Sequence, residues 1–467
     1  MAGRTATRLQ LSGHRFLLRR MAHALVRGDA RMLDDPVRAQ AVAYGVGGGL
    51  AAVVIAVGAV LALVRPDTVP RDAPILMVRD TGALYVRIDD AVHPVLNLAS
   101  ARLIVGRSAD PVVVSAKALA ELRPGPLVGI AGAPAQIGRP LDIDETGWAI
   151  CDLDENAETV LRTGAGGDGT TPLPSGAALL VSARTAGAPT YLLLDGRRAR
   201  IDIRDTAVVR ALHLEGVRAQ PVSQALLDSV PEAPAVRAPV ITGVGAEGPA
   251  ALHGLTVGTV VQVSRSGPAE LYVVLVDGLQ RVGRVAADVI RFSVPQPGDE
   301  PPVVAADVVA DLPIAEDLTA ARFPERVLGR GRAVVCAHWD PSSAGEAANT
   351  TVTMSDSISE GGVRLAQADG AAPNIDRVQI PPGRSVLVQA DGVLRGAPVD
   401  GPLYLLNDRG VLFGVRDGQT AEHLGLAAGP VPAPWPMLAR LPRGPALSRD
   451  AAAVMRDALP GVRMAPA

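Results

Sequence analysis

The chain of 467 residues carries 45 basic and 48 acidic side chains, a net charge of −3, and 48% of it is apolar. That balance excludes a polybasic nucleic-acid binder and a mostly disordered chain, and the length exceeds one ordinary domain. Two cysteines and seven scattered histidines cannot supply a Cys-rich zinc module.

Residues 1–40 hold eight Arg and three Asp. Leu9, Phe16, Leu17, Met21, Leu25 and Leu33 alternate there with Arg15, Arg19, Arg20, Arg27 and Arg31. This predicts an amphipathic basic arm in which Arg15, Phe16, Leu17, Arg19 and Arg20 dock on lipid or on a partner. Asp34-Asp35-Pro36 should end it. Ala39–Val64 then carries no charge. Trimmed to 41–64, it makes a helix of about 36 Å, enough to cross a bilayer core of about 30 Å. It is too long and too far from the start for a cleaved signal peptide. Gly45 and Gly49 satisfy GxxxG, which is either a helix-packing face or glycine merely tolerated in lipid. Arg is equal on the two sides close to the span, but the short arm is basic overall, which favours an inside N-terminus and an outside bulk.

Four of the five tyrosines sit in similar runs: Leu84–Asp90, Tyr191–Gly196, Leu271–Gly278 and Leu403–Gly410. Each is β-prone, ends in Asp or Asn, and leads through a second apolar run into a helical pattern, as at Asp205 and at Ala286–Phe292. LPSGAALLV (173–181) and IPPGRSVLV (380–388) match in register. Cys151 and Cys336 each fall between two tyrosine runs. These features predict an α+β fold with four hairpin/helix repeats in a duplicated half, and pseudo-twofold symmetry about a β-rich core. Outside the cytoplasm the two cysteines read as one disulfide joining the halves. The expected boundaries are a linker at 65–74, repeats at 75–124, 185–235, 236–295 and 396–428, and core segments at 125–184 and 296–395. A Pro-rich C-terminal arm at 429–467 ends in a helix at Ser448–Leu459.

Several motifs fail on inspection. Gly243–Gly248 fits GxGxxG but runs into Pro249 and a new strand, so it reads as a loop. Asp152, Asp154 and Asn156 mimic the start of a calcium loop, yet Ala157 and Thr163 stand where Gly and Glu are required. The only lysine, Lys117, lies in VVVSAKALA, so a phosphate-cradling P-loop is absent. No catalytic residue, metal ligand or cofactor site is assigned.

Gln10–Gln40 (QLSGHRFLLRRMAHALVRGDARMLDDPVRAQ) closely resembles the arm of the EccB family, membrane components of actinobacterial type VII (ESX) secretion systems. The resemblance continues through the span to GPLVGIAGAP (125–134), GWAICD (147–152), AVVCAHW (333–339) and LYLLNDRG (403–410). It implies a cytoplasmic arm, one inner-membrane span and an elongated periplasmic portion with four repeats around a disulfide-bridged core. It further implies assembly with EccC, EccD and EccE into a hexameric machine. The expected function is a structural subunit around the export path. The alternative is a weak ATPase or a cell-wall-binding enzyme in the same system, with ATP as cofactor only if the family's ATPase label holds.

Overall fold

The computed structural model describes residues 7–28, 36–64, 69–164, 169–264, 269–316, 318, 323–340, 350–392 and 401–458. They form two compact units, Met1–Val69 and Pro70–Ala467.

The first unit is helical. Helix α1, Arg8–Arg27, starts at a capping box in which the Thr7 amide donates to the Gln10 side chain at 3.1 Å. It stops at Gly28, whose left-handed φ of 68° ends the helix at little cost. Helix α2, Pro36–Val64, begins earlier than expected because proline is preorganised for a first helical turn, where its missing N–H is not needed. Asp34, Asp35, Leu33 and Arg31 lie outside the described residues. Gln40–Val60 within α2 is long and apolar enough to cross a membrane.

The second unit is built on a seven-stranded cystine sheet. Its middle four strands are two hairpins set side by side, Thr159–Thr163 with Trp148–Leu153 and Val334–Trp339 with Thr350–Ser355. Around it lie four sheets, each with one of the four tyrosines on its middle strand. In the first, Ile75–Val78, Leu84–Ile88 and Ala91–Val95 form an antiparallel meander. Helix Leu98–Val105 follows, and Val112–Val114 returns parallel to the opening strand. The same order of pairings occurs in the second sheet, from Ala177–Ala183 to Gln220–Val222. It occurs again from Val260–Val263 to Val303–Val304 and from Arg384–Asp391 to Val431–Pro434. The cap expected at Asp205 is present, its carboxylate accepting the amides of Ala207 and Val208. The expected helix at Ala286–Phe292 spans Arg284–Ser293.

Shared cores give the order of packing. Trp148, Ile150, Val335, Ala337 and Trp339 of the cystine sheet share one apolar core with the second and fourth sheets. A separate core joins the first sheet to Leu387, Leu405 and Phe413 of the fourth. Another joins the second sheet to Val285 and Val289 of the third. Gly196 shows how tight these contacts are. It holds a hairpin turn at φ 69°, and a Cβ there would stand 1.9 Å from the Thr350 carbonyl of the cystine sheet.

The expected boundaries need correction. Ala177–Ala183 and Arg384–Asp391, assigned to the core segments, are the opening strands of the second and fourth sheets. Val303–Val304 closes the third sheet rather than belonging to the core segment at 296–395. The segment carrying Pro231 and Pro234 joins a sheet as well, since Glu232–Val236 pairs with Arg197–Ile201. The C-terminal arm is likewise woven in. Val431–Pro434 completes the fourth sheet, Leu447 is fully buried, and Met455–Arg456 pairs with Leu127–Val128. The expected Ser448–Leu459 helix shrinks to Arg449–Ala452, capped by Ser448, and Leu459 lies outside the described residues. The physical reason is shared. Proline cannot donate to a ladder, but an edge strand has one side without a partner, so proline-bearing segments fit there.

Cys151 and Cys336 are bonded, S–S 2.07 Å, across a sequence separation of 185. In the chain-entropy model a loop of that size is worth about 5 kcal/mol. Cys336→Ser should lower the unfolding free energy by about 2–5 kcal/mol, and reductant should do the same to the parent chain but not to the variant. Denaturant titration with and without reductant reads both effects.

Candidate functional site

The family motifs GWAICD and AVVCAHW converge on the cystine. Trp148–Leu153 and Val334–Trp339 run antiparallel with Cys151 opposite Cys336 and Trp148 opposite Trp339. Side chains alternate between faces along a strand, so the tryptophans enter the large core while the cystine faces the other way. Trp148 Nε1 donates to the Pro432 carbonyl at 3.2 Å, which ties the fourth sheet to this strand.

Asp152, the last residue of GWAICD, is buried and fully engaged. Its carboxylate accepts from the Thr159 hydroxyl at 2.9 Å and from the Ser223 amide, and Arg184 lies 3.6 Å away. Burial pushes its carboxyl above the usual aspartate range, while Arg184 and the donors pull it back. Both oxygens are thus used within the protein, to hold the second sheet's helix Gln224–Ser229 against the cystine sheet. Asp154 pairs with Arg330, and Asn156 Oδ1 accepts the Glu158 amide at 3.1 Å. The three side chains that mimic a calcium loop, two carboxylates and the Asn156 amide, therefore serve three different tasks.

Asp376 was not singled out from the sequence. It is completely buried, and it accepts the amides of Thr159 at 2.8 Å, Asp369 at 2.8 Å and Gly370 at 2.7 Å. No local motif marks it, because its partners lie up to 217 residues away. Gly243–Gly248 forms a closed turn as expected, with the Gly245 amide donating to Val257 at 3.0 Å and the Ala250–Leu252 turn following.

In the first unit, all five arm residues lie on α1. They do not share one face. At 100° per residue Arg15 and Arg19 stand together, Phe16 and Arg20 form a second pair, and Leu17 falls on the stripe of Met21 and Leu25. Phe16, Leu17, Met21 and Leu25 are all more than half exposed in the isolated chain. Gly45 and Gly49 lie one turn apart on α2, with open space around the Cβ position of each.

Asp376→Ala strands three backbone donors beneath the cystine sheet. It should cost about 3 kcal/mol in denaturant unfolding, whereas Asp154→Ala at the exposed pair should cost under about 1 kcal/mol.

The chain matches the family model described as "Type VII secretion system ESX-1, transport TM domain B" over residues 3–461. It is 37% identical to the ESX-3 secretion system ATPase EccB3 of Mycolicibacterium smegmatis, over 97% of this chain and 91% of that protein. It is 34% identical to the ESX-5 secretion system ATPase EccB5 of Mycobacterium marinum, over 99% and 96%. Among solved structures it resembles a chain of an intact ESX-5 inner membrane complex, with a TM-score of 0.73 and 32% identity over 100% of this chain and 98% of that one. It also resembles the EccB3 dimer from the ESX-3 core complex, with a TM-score of 0.71 and 34% identity over 82% and 100%. The apolar helix near the start, the cystine-centred sheet and these full-length matches agree: the chain belongs to the EccB family of type VII secretion membrane proteins.

Proposed function

We propose that this chain is a structural subunit of the inner-membrane complex of a type VII secretion system, held by its arm and span, with its bulk in the periplasm around the export path. The observation that carries this reading is the end-to-end likeness to a chain of an intact ESX-5 inner membrane complex. The disulfide is in keeping with a periplasmic bulk, because such bonds persist in oxidising compartments. In this reading the N-terminal arm is cytoplasmic and meets the EccC, EccD and EccE subunits, while the periplasmic portion self-associates within a hexameric complex. One relative was solved as a dimer. The relatives carry "ATPase" in their names. The scaffold reading gives this chain an architectural role and leaves force generation to another subunit.

The periplasmic portion is, we infer, a duplicated half containing four copies of one hairpin/helix unit. Two features support this. The pairing order recurs in four sheets, and the packing order runs first, fourth, cystine sheet, second, third. A twofold axis at the cystine that exchanges first with third and second with fourth leaves that order unchanged.

Replacing Arg15, Arg19 and Arg20 together by Glu should abolish co-purification of the other membrane subunits while the Cys151–Cys336 bond still forms. Unchanged recovery of the complex would reduce the arm to a topogenic signal. For orientation, Arg8→Cys should resist a membrane-impermeant thiol reagent in intact cells and Ala371→Cys should label. The reverse pattern would overturn the topology.

A further inference from the structure

Each of the four peripheral sheets carries two helices, one after its meander and one after its return strand. In chain order the second kind are Ala116–Ala120, Gln224–Ser229, Ala306–Ala310 and Trp435–Leu438. The helices after the meanders pack in pairs, Leu98–Val105 with Gly418–Leu424 and Thr206–Ala211 with Arg284–Ser293. Of the helices after the return strands, Gln224–Ser229 packs on Trp435–Leu438. An arginine in or just beyond a helix fastens each pair. Arg102 donates to the Leu424 carbonyl at 2.9 Å, Arg210 lies 4.4 Å from the Phe292 ring centre, and Arg440 pairs with Asp228 at 3.1 Å. Ala116–Ala120 of the first sheet and Ala306–Ala310 of the third have no comparable helix partner among the described residues. These two sheets end the packing order, so one contact of the repeating kind is left unmade at each end.

The helices align on the residues that cap them, Ser115, Ser223, Ala305 and Pro434. Two residues after the cap stand Lys117, Ala225, Asp307 and Pro436. Ala225 is completely buried. Lys117, the only lysine of the chain, and Asp307 are exposed, and neither side chain has a partner among the described residues. Seven residues after the cap, Val230 and Leu441 lie in the large core, while Leu122 and Leu312 are only half-buried. Two residues before the cap, Val113 and Val303 are 46% and 70% exposed. The free ends thus keep apolar residues of the repeat uncovered and carry opposite charge at one matched position. The other charges close by are Glu121 and Arg123 on the first sheet's side and Asp311 and Glu316 on the third's, all exposed. The third sheet's end is therefore the acidic one.

We infer that copies of this chain join head to tail, Ala116–Ala120 of one docking on Ala306–Ala310 of a second, with Lys117 beside Asp307 of the partner subunit. The inference rests on the proposed self-association of the periplasmic portion and names its surface. Charge chooses the pairing: like ends would set Lys117 against Lys117 or Asp307 against Asp307, and unlike ends avoid both. The contact joins two different surfaces, so it repeats from copy to copy and stays finite only by closing a ring. No cystine sheet lies beneath it, as one does beneath Gln224–Ser229. It is therefore the weaker contact, sensitive to concentration and to salt.

The test is sedimentation velocity of the full-length chain in detergent micelles over a range of concentrations. The parent should associate, and less so at high salt. Lys117→Asp and Asp307→Lys should each weaken association about fivefold with the melting temperature unchanged, and the doubly reversed chain should recover the parental affinity. Undiminished association of either single variant overturns the proposed surface and leaves self-association standing. A parent that stays monomeric at every concentration overturns both. Cross-linking checks the geometry without charge reversal. Lys117→Cys chains mixed with Asp307→Cys chains should be joined by a short bifunctional thiol reagent, and neither variant should be joined alone. Adducts within one variant overturn the head-to-tail pairing, as does a mixture that yields none.

Discussion

Everything in the larger unit rests on the pairing of Cys151 with Cys336 across two antiparallel strands. The bond joins residues 185 apart in sequence, but its effect goes beyond shortening a loop. It locks two hairpins in one register, and in a sheet a slip of one residue turns every side chain to the opposite face. The register that pairs the cysteines also pairs Trp148 with Trp339 and sends both into the core shared with the second and fourth sheets. The first sheet then packs on the fourth and the third on the second. One covalent contact thus sets the frame to which four peripheral sheets are attached.

The sequence carried this plan unevenly. The uncharged run before Arg65, the tyrosine hairpins and the cysteine positions are local patterns with strong physical meaning, and they map onto α2, the four middle strands and the cystine sheet. The return strands were not legible. Val112–Val114, Gln220–Val222 and Val303–Val304 are two or three residues long, too short for alternation to show. Pro432 and Pro434 signalled a linker because proline usually does, and only the tertiary structure reveals an edge strand at which the missing donor costs nothing.

The polar residues at the sheet junction were hidden for a different reason. Asp376 and Arg184 have no periodicity and no motif; each becomes meaningful only when the chain brings Thr159 beside it. Asp152 lay inside a family motif and resembled a metal ligand, yet its oxygens are spent on Thr159 and Ser223. A buried carboxylate is tolerable only when its acceptors are filled, and here the filling groups come from separate sheets. The polar junction therefore specifies how the second sheet meets the centre, where apolar packing alone would allow several arrangements.

The proposed duplication of the halves sets the two ends of this centre against each other. An axis at the cystine carries Ala149 to Val334 and His338 to Leu153. The Val334–Leu153 end is closed by apolar contacts that include Ile358. The Ala149–His338 end is open and lined by Arg162, Gln379 and threonines. The apolar end is closed by packing alone, whereas the open end keeps the Thr353 hydroxyl without a hydrogen-bond partner among the described residues.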